Sequence, residues 1–322
     1  ARLHDDVVTA LREAGIPRLY LPTALQGHAA DPVAVAEICE ILATADPSAA
    51  WYVMVYNAAR MMASQWPESL VMAVWGDDPD ALVAASGHTP LQGERDGGEY
   101  VVHGRNSFVS GCHHADYIMS PMLVDGQPHI VVIPAHAVQI VDNWDTLGMR
   151  GSGSNDVVID AVRVPELLVA AQNVPAQRHP AYLEDDLYKC PSRVVFATYV
   201  PAALSLAASA LTELESLAKN KVPYATDRKL AERSVAQIHY GKGVAQYRSA
   251  RRYFFGTLAD VFERAQRGDE FDARARADLY LAGTHAVQAS ADVVRHVADA
   301  AGSSVFDKRQ PLERIARDME TL

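Results

Sequence analysis

Cysteine is scarce in this chain. Three residues, Cys39, Cys112 and Cys190, stand far apart, with no CxxC among them. An odd, scattered set supports neither a disulfide framework nor a cysteine-based zinc site, and it fits a reducing, cytoplasmic setting. A basic excess is missing as well: 29 Lys and Arg face 40 Asp and Glu, for a formal charge of −11. Phosphate contacts need a basic face, so this balance argues against a nucleic-acid partner. No stretch approaches the ~18 apolar residues of a membrane helix, and no signal-peptide pattern is present, so no membrane association is expected. No His, Asp or Glu pair shows metal spacing, so no metal is expected. The chain opens at Ala1 without methionine and stops at Leu322 inside what reads as a continuing helix; both ends are expected to be incomplete.

What is present is an ordinary globular composition, 49% hydrophobic and 21% charged over 322 residues, enough for two or three units. Residues 1–81 read as a helical domain. Asp31-Pro32 and Asp46-Pro47 each open an apolar-periodic segment, and the second, "AAWYVMVYNAARMMASQW", is apolar on nearly every face and so expected to be buried. From Leu82 to residue 168 the pattern changes to short β-branched runs broken by Gly, Pro and Asp-Gly, which predicts a central antiparallel β-barrel domain. Residues 169–322 begin with a Pro-punctuated connector ("VPAQRHP", "KCPSRV") and continue as long helical segments near 202–219, 228–266, 272–300 and from Pro311, a four-helix bundle domain. The fold class expected is therefore α+β in three parts.

Residues 144–156, "WDTLGMRGSGSND", crowd glycine and serine ahead of the apolar run "VVIDAVRVP". A dinucleotide loop follows a strand and opens a helix, and a Walker loop ends in Gly-Lys-Ser/Thr. This segment does neither. It reads as a turn-rich crossover whose glycines adopt positive φ or admit close approach of another segment.

"WDTLGMRGSGSNDVVIDAVRVPE" also resembles the middle-domain segment of the acyl-CoA dehydrogenase fold, in the branch of two-component (group D) flavin-dependent monooxygenases. "LREAGIPRLYLP", "ATADPSAAW", "GEYVVHGRNSFVSGCHHAD" and "PLERIARD" are similar to further family segments, in the family's order and across most of the chain. The resemblance implies a helical N-terminal domain, a β-barrel and a four-helix bundle, assembled as a homotetramer.

The resemblance places the Ser110 hydroxyl beside flavin N5, with Phe108, Val109, Gly111 and Trp144 at the flavin and Ser86 near its pyrimidine end. A hydroxyl accepts from N5–H, and glycine lets backbone approach a flat ring. Read without the family, Ser110 is equally a strand serine before a turn. Trp51, Tyr56 and Asn57 are candidate substrate contacts on the apolar helix, with core residues bearing satisfied polar tips as the alternative. Arg228 resembles the residue that meets a flavin phosphate across a subunit interface; a solvated charge run is its alternative. His88, His113 and His114 are weaker candidate bases, and adjacent histidines on a strand face opposite ways.

The resemblance implies an enzyme that receives reduced FAD or FMN from a separate reductase. With O2 it hydroxylates an aromatic or indole-like small molecule through a C4a-hydroperoxyflavin. N-oxygenation of an amine stands beside this. So does an acyl-CoA dehydrogenase-type desaturase, although "SGHTPLQGE" departs from the dehydrogenases' Ser/Thr-Glu motif. The dehydrogenases' catalytic glutamate, or a histidine in this branch, falls just beyond the "RD" of the last helix. A flavin or ligand carrier without catalysis is the third reading.

Overall fold

The computed structural model describes residues 1–87, 89–172, 179–191, 194 and 198–322. Four helices fill the first quarter: α1 (Asp5–Glu13), α2 (Pro32–Ala45), α3 (Pro47–Met61) and α4 (Glu68–Trp75). Proline at the first position of α2 and α3 costs no hydrogen bond there. Asp46 Oδ1 accepts from the Ser48 N–H at 2.7 Å, so the expected Asp-Pro start of α3 is a cap.

Eight strands follow: β1 (Val83–Ala85), β2 (Leu91–Asp96), β3 (Glu99–Val109), β4 (Tyr117–Val124), β5 (Gln127–Pro134), β6 (Gln139–Val141), β7 (Asn155–Pro165) and β8 (Val169–Ala171). Asp125-Gly126, both at positive φ, turn β4 into β5 in two residues, as hairpin twist demands. The sheet runs β6-β7-β3-β2-β4-β5-β8, with β1 also on β4. The antiparallel barrel expected from strand spacing is not what forms. The sheet is open and mixed: β6 and β8 end the order, and β1 and β2 both pair with β4 in parallel. They occupy one edge of β4 in succession, at Tyr117–Met119 and then Met122–Val124. The break between them faces Pro121, which has no N–H to give a ladder. The boundary drawn at residue 168 leaves β8 outside the strand-rich part, whereas its pairing with β5 makes it a sheet strand.

The C-terminal helices are α5 (Val200–Asn220), α6 (Ser234–Arg267), α7 (Ala273–Ala301) and α8 (Pro311–Thr321). No helix among the described residues is long and apolar enough to cross a membrane. The connector read at "VPAQRHP" and "KCPSRV" lies partly outside the described residues.

By packing, the chain divides into two compact units. The first comprises Ala1–Asp31, Trp51–Asp145 and Arg150–Val195; the second comprises Pro32–Ala50, Thr146–Met149 and Phe196–Leu322. In the second, Ala203, Leu206, Leu211, Val293 and Val297 interleave as an apolar core. Helix α2 belongs here: its Glu40 holds Arg251 of α6 through two charge-assisted bonds of 2.8 and 2.7 Å. Gly148 belongs here too. A Cβ on it would fall 2.2 Å from the Arg317 carbonyl oxygen, and its N–H bonds the Thr321 hydroxyl at 2.8 Å. Next to it the Met149 N–H bonds Asp318 Oδ1 at 2.7 Å. The glycine is there so that backbone can lie against α8.

In the first unit the largest buried charge is Arg60 of α3, which has no measurable exposure. Its guanidinium donates to the carbonyls of Tyr56 (2.6 Å), Pro79 (3.2 Å) and Ala81 (2.7 Å), tying α3 to the approach to β1. It also lies over the Trp75 ring. Burial lowers its pKa to about 9, opposed chiefly by Asp80, so it stays charged at neutral pH. His114 is a second tie. Its Nε2 lies 3.0 Å from Asp5 of α1 and its Nδ1 3.3 Å from the Tyr52 hydroxyl of α3. All three cysteines are buried, and burial pushes the thiols of Cys39, Cys112 and Cys190 up to about 12, 11 and 12.

Arg60→Met keeps most of the volume but removes three hydrogen bonds to carbonyls, of which only Ala81 keeps another side-chain donor, the Trp75 indole N–H at 3.2 Å, at about 3 kcal/mol. Thermal melting should then fall by roughly 6–12 °C, and a drop below about 2 °C contradicts the tie. The pKa of His114 is lowered from 6.5, chiefly by burial, so its neutral form belongs to the folded state. Its contribution is present above 6.5 and is lost as pH falls through the lowered value. His114→Gln should therefore flatten the decline of melting temperature as pH falls from 6.5 to the lowered value; an unchanged slope over that interval contradicts this.

Candidate active site

After an earlier register shift between Val102 and Gly104, the strands β3 and β7 pair regularly from Gly104↔Ile159 to Asn106↔Val157, and pairing resumes only at Val109↔Asn155. Ser107 and Phe108 thus oppose the single residue Asp156, which makes a β-bulge. The strain is at Phe108, a bulky side chain with φ of 59°. That left-handed conformation costs about 1 kcal/mol or more for such a residue. It leaves the phenyl ring 56% exposed and edge-on to Trp144, with centroids 5.9 Å apart.

Beyond the bulge the backbone folds tightly. The Ser110 N–H bonds the Phe108 carbonyl at 2.9 Å, and the Gly111 N–H bonds the Ser152 carbonyl at 3.0 Å. Gly111 has φ of 75°, and a Cβ there would sit 2.7 Å from the Tyr56 hydroxyl oxygen. These bonds aim the Ser110 side chain into a row of polar groups. The Trp51 indole N–H donates to Ser110 Oγ at 3.0 Å. Ser110 Oγ lies 2.7 Å from Ser154 Oγ, and Ser154 Oγ lies 2.8 Å from Ser152 Oγ. All three serines are buried.

Ser86 closes the other side of the bulge. Its N–H continues the ladder to the Met119 carbonyl, and its hydroxyl donates to the Ser107 carbonyl at 3.1 Å. Asn106 donates to the Thr89 carbonyl at 2.9 Å, while its Oδ1 is buried without a partner. An orphaned acceptor beside a strained bulge is the kind of group that a polar ligand satisfies.

The expected residues divide accordingly. Ser110, Trp51, Phe108 and Trp144 come together, and Ser86 joins them through Ser107. Val109 has no exposure and packs inward. Tyr56 is behind the site: its hydroxyl donates to the Gly111 carbonyl at 2.9 Å. Asn57, read as a substrate contact, is a fully buried tie. Its Oδ1 accepts from the Tyr20 N–H, and its amide protons go to the Ile16 and Val53 carbonyls. Arg228 is exposed in the second unit, between α5 and α6. His113 and His114 sit on a 3-10 turn, Cys112–His114, and not on a strand. Burial lowers the pKa of His113, and Asn155 Nδ2 lies 3.0 Å from its Nε2. His88 lies outside the described residues.

Sequence reasoning missed Ser152, Ser154 and Asn155. The serines carried a signal: they flank Gly153 at i and i+2 on the edge of β7. Asn155 carried none. It is fully buried, and its Oδ1 accepts from the backbone N–H groups of Asn143 and Trp144 at 2.9 and 2.8 Å, which sets Trp144 beside Phe108.

Comparisons with known proteins agree with this architecture. Residues 197–322 match the family described as acyl-CoA dehydrogenase, C-terminal domain. The chain is 29% identical over 326 residues to the indole-3-acetate monooxygenase of Acinetobacter baumannii, covering 99% of this chain and 82% of that protein. It is 27% identical over 332 residues to the flavin-dependent monooxygenase, oxygenase subunit HsaA, of Rhodococcus jostii, covering 98% and 86%. Among solved structures, XiaF from Streptomyces sp., in complex with FADH2 and glycerol, superposes with a TM-score of 0.91 at 21% identity, over 99% of this chain and 83% of that one. Residues 197–322 thus match the acyl-CoA dehydrogenase C-terminal domain, and over nearly its whole length the chain is similar to flavin-dependent monooxygenases, an oxygenase subunit among them.

Proposed function

We propose that the protein is the oxygenase component of a two-component monooxygenase. It would take reduced FAD or FMN from a separate reductase and place one atom of O2 on an aromatic or indole-like small molecule. The relatives named indole-3-acetate monooxygenase and oxygenase subunit support the substrate class and the partner reductase.

The observation that carries the reading is the row Trp51, Ser110, Ser154 and Ser152 behind an exposed, strained Phe108. A hydroxyl has one proton and two lone pairs. Trp51 uses one lone pair of Ser110. If Ser110 donates to Ser154, its second lone pair is left to accept from an N–H; if Ser154 donates to Ser110, the Ser110 proton is left to donate. The row can therefore serve a flavin N5 in either redox state by reversing its direction, without moving an atom heavier than hydrogen. Bound reduced flavin would supply the electrons that let one oxygen atom enter the substrate while the other leaves as water. The chain's own work is to hold N5–H at Ser110, to flank the ring with Phe108 and Trp144, and to exclude water with the apolar face of α3. Arg228 is assigned to a flavin phosphate of a neighbouring subunit in a homotetramer, and a cytoplasmic location belongs to the same proposal.

Rapid mixing of protein and reduced flavin with oxygenated buffer, using indole-3-acetate as probe, tests this. The expected outcome is two-phase flavin reoxidation, the slow phase quickened by the probe and accompanied by hydroxylated product. One-phase reoxidation with all oxygen recovered as peroxide and no product contradicts the proposal. Ser110→Ala should shorten the slow phase about 5-fold, one hydrogen bond of ~1 kcal/mol, and raise the peroxide yield. An unchanged phase would remove Ser110 from the role.

A further inference from the structure

The loop between α6 and α7 is five residues, 268–272, so the two helices fold back on each other and the start of α6 meets the end of α7. His239 on α6 thereby comes beside His296 and Asp299 on α7. One candidate ligand atom from each, an imidazole nitrogen or a carboxylate oxygen, lies within 4.8 Å of the other two. His296 and Asp299 are three apart and share a helix face. The imidazole rings are tilted at 59° with centroids 5.5 Å apart, so they do not stack. His239 Nδ1 is closed off from solvent and has no hydrogen-bond partner, a costly state for a ring nitrogen.

We propose that His239, His296 and Asp299 form a binding site for a borderline first-row divalent cation, with Zn2+ the best match and water completing the shell. Two imidazoles and one carboxylate suit zinc, cobalt or nickel, whereas Mg2+ and Ca2+ select all-oxygen sets. Tetrahedral zinc at 2.0–2.1 Å needs ligand atoms about 3.4 Å apart, a contraction that side-chain rotation can supply from 4.8 Å. The ion would staple the end of the α6–α7 hairpin farthest from its loop. No run of sequence announced the site, because its ligands come from two helices and meet only when the hairpin closes.

The test uses the purified full chain, stripped with chelator and dialysed, then titrated with zinc sulfate by calorimetry. The expected result is one Zn2+ per chain and a melting temperature raised by about 3 °C or more at saturation. Mg2+ should have no effect. His296→Gln and Asp299→Asn, both conservative, should each weaken zinc binding at least about 10-fold with unchanged circular dichroism. Absence of stoichiometric zinc binding overturns the proposal. So does binding undiminished by His296→Gln, since the chain has 12 histidines and zinc would then be held elsewhere.

Discussion

One extra residue in β3 governs the candidate site. Opposing two residues of β3 to one of β7 forces Phe108 into left-handed backbone and shifts the positions that follow. In an unbroken ladder Ser110 would continue the alternation of β3 and end the strand without a fixed partner. With the bulge, its hydroxyl meets Trp51 from α3 and Ser154 from the margin of β7. The sheet supports that displacement on both sides, through the bonds of Ser86 to Ser107 and of Asn106 to Thr89, which tie β3 to the β1–β2 connection, and through Asn155 behind Trp144. Strain of this size persists only where its surroundings over-determine it. Here at least four side-chain bonds to neighbouring backbone do so.

The same economy appears in α3. Read along the sequence it is an apolar helix with a few polar intruders; in space the intruders are its fastenings. Arg60 satisfies three carbonyls, Asn57 holds the turn before α2, and Tyr56 holds the loop after β3. Only Trp51 turns its polar edge toward the serine row. One helix therefore anchors the first unit and presents a hydrogen-bond donor to the site.

Much of this was legible in order and little of it in partnership. The Asp-Pro helix starts, the Asp-Gly hairpin and the long C-terminal helices followed from local chemistry, because caps, turns and apolar periodicity act within a few residues. The openness of the sheet did not: short strands at regular spacing read alike whether they close or not, and the parallel pairing of β1 and β2 with β4 depends on where β3 goes. The placement of α2 with the C-terminal helices rests on Glu40 and Arg251, more than 200 residues apart. Asn57 was ambiguous for a plain reason. A polar residue on an apolar helix looks the same in sequence whether it binds a ligand or a backbone. The glycine-rich segment was read as admitting close approach, and Gly148 against α8 is such an approach.

The buried thiols have a chemical corollary. Proteins that handle reduced flavin and oxygen work beside a source of hydrogen peroxide whenever turnover misfires. The thiolate attacks peroxide, and oxidation proceeds toward acids that cells do not readily repair. With burial holding all three sulfhydryls protonated to pH values near 11 or above, the fold denies that reagent its nucleophile. Oxidative wear on this chain should begin at side chains other than cysteine.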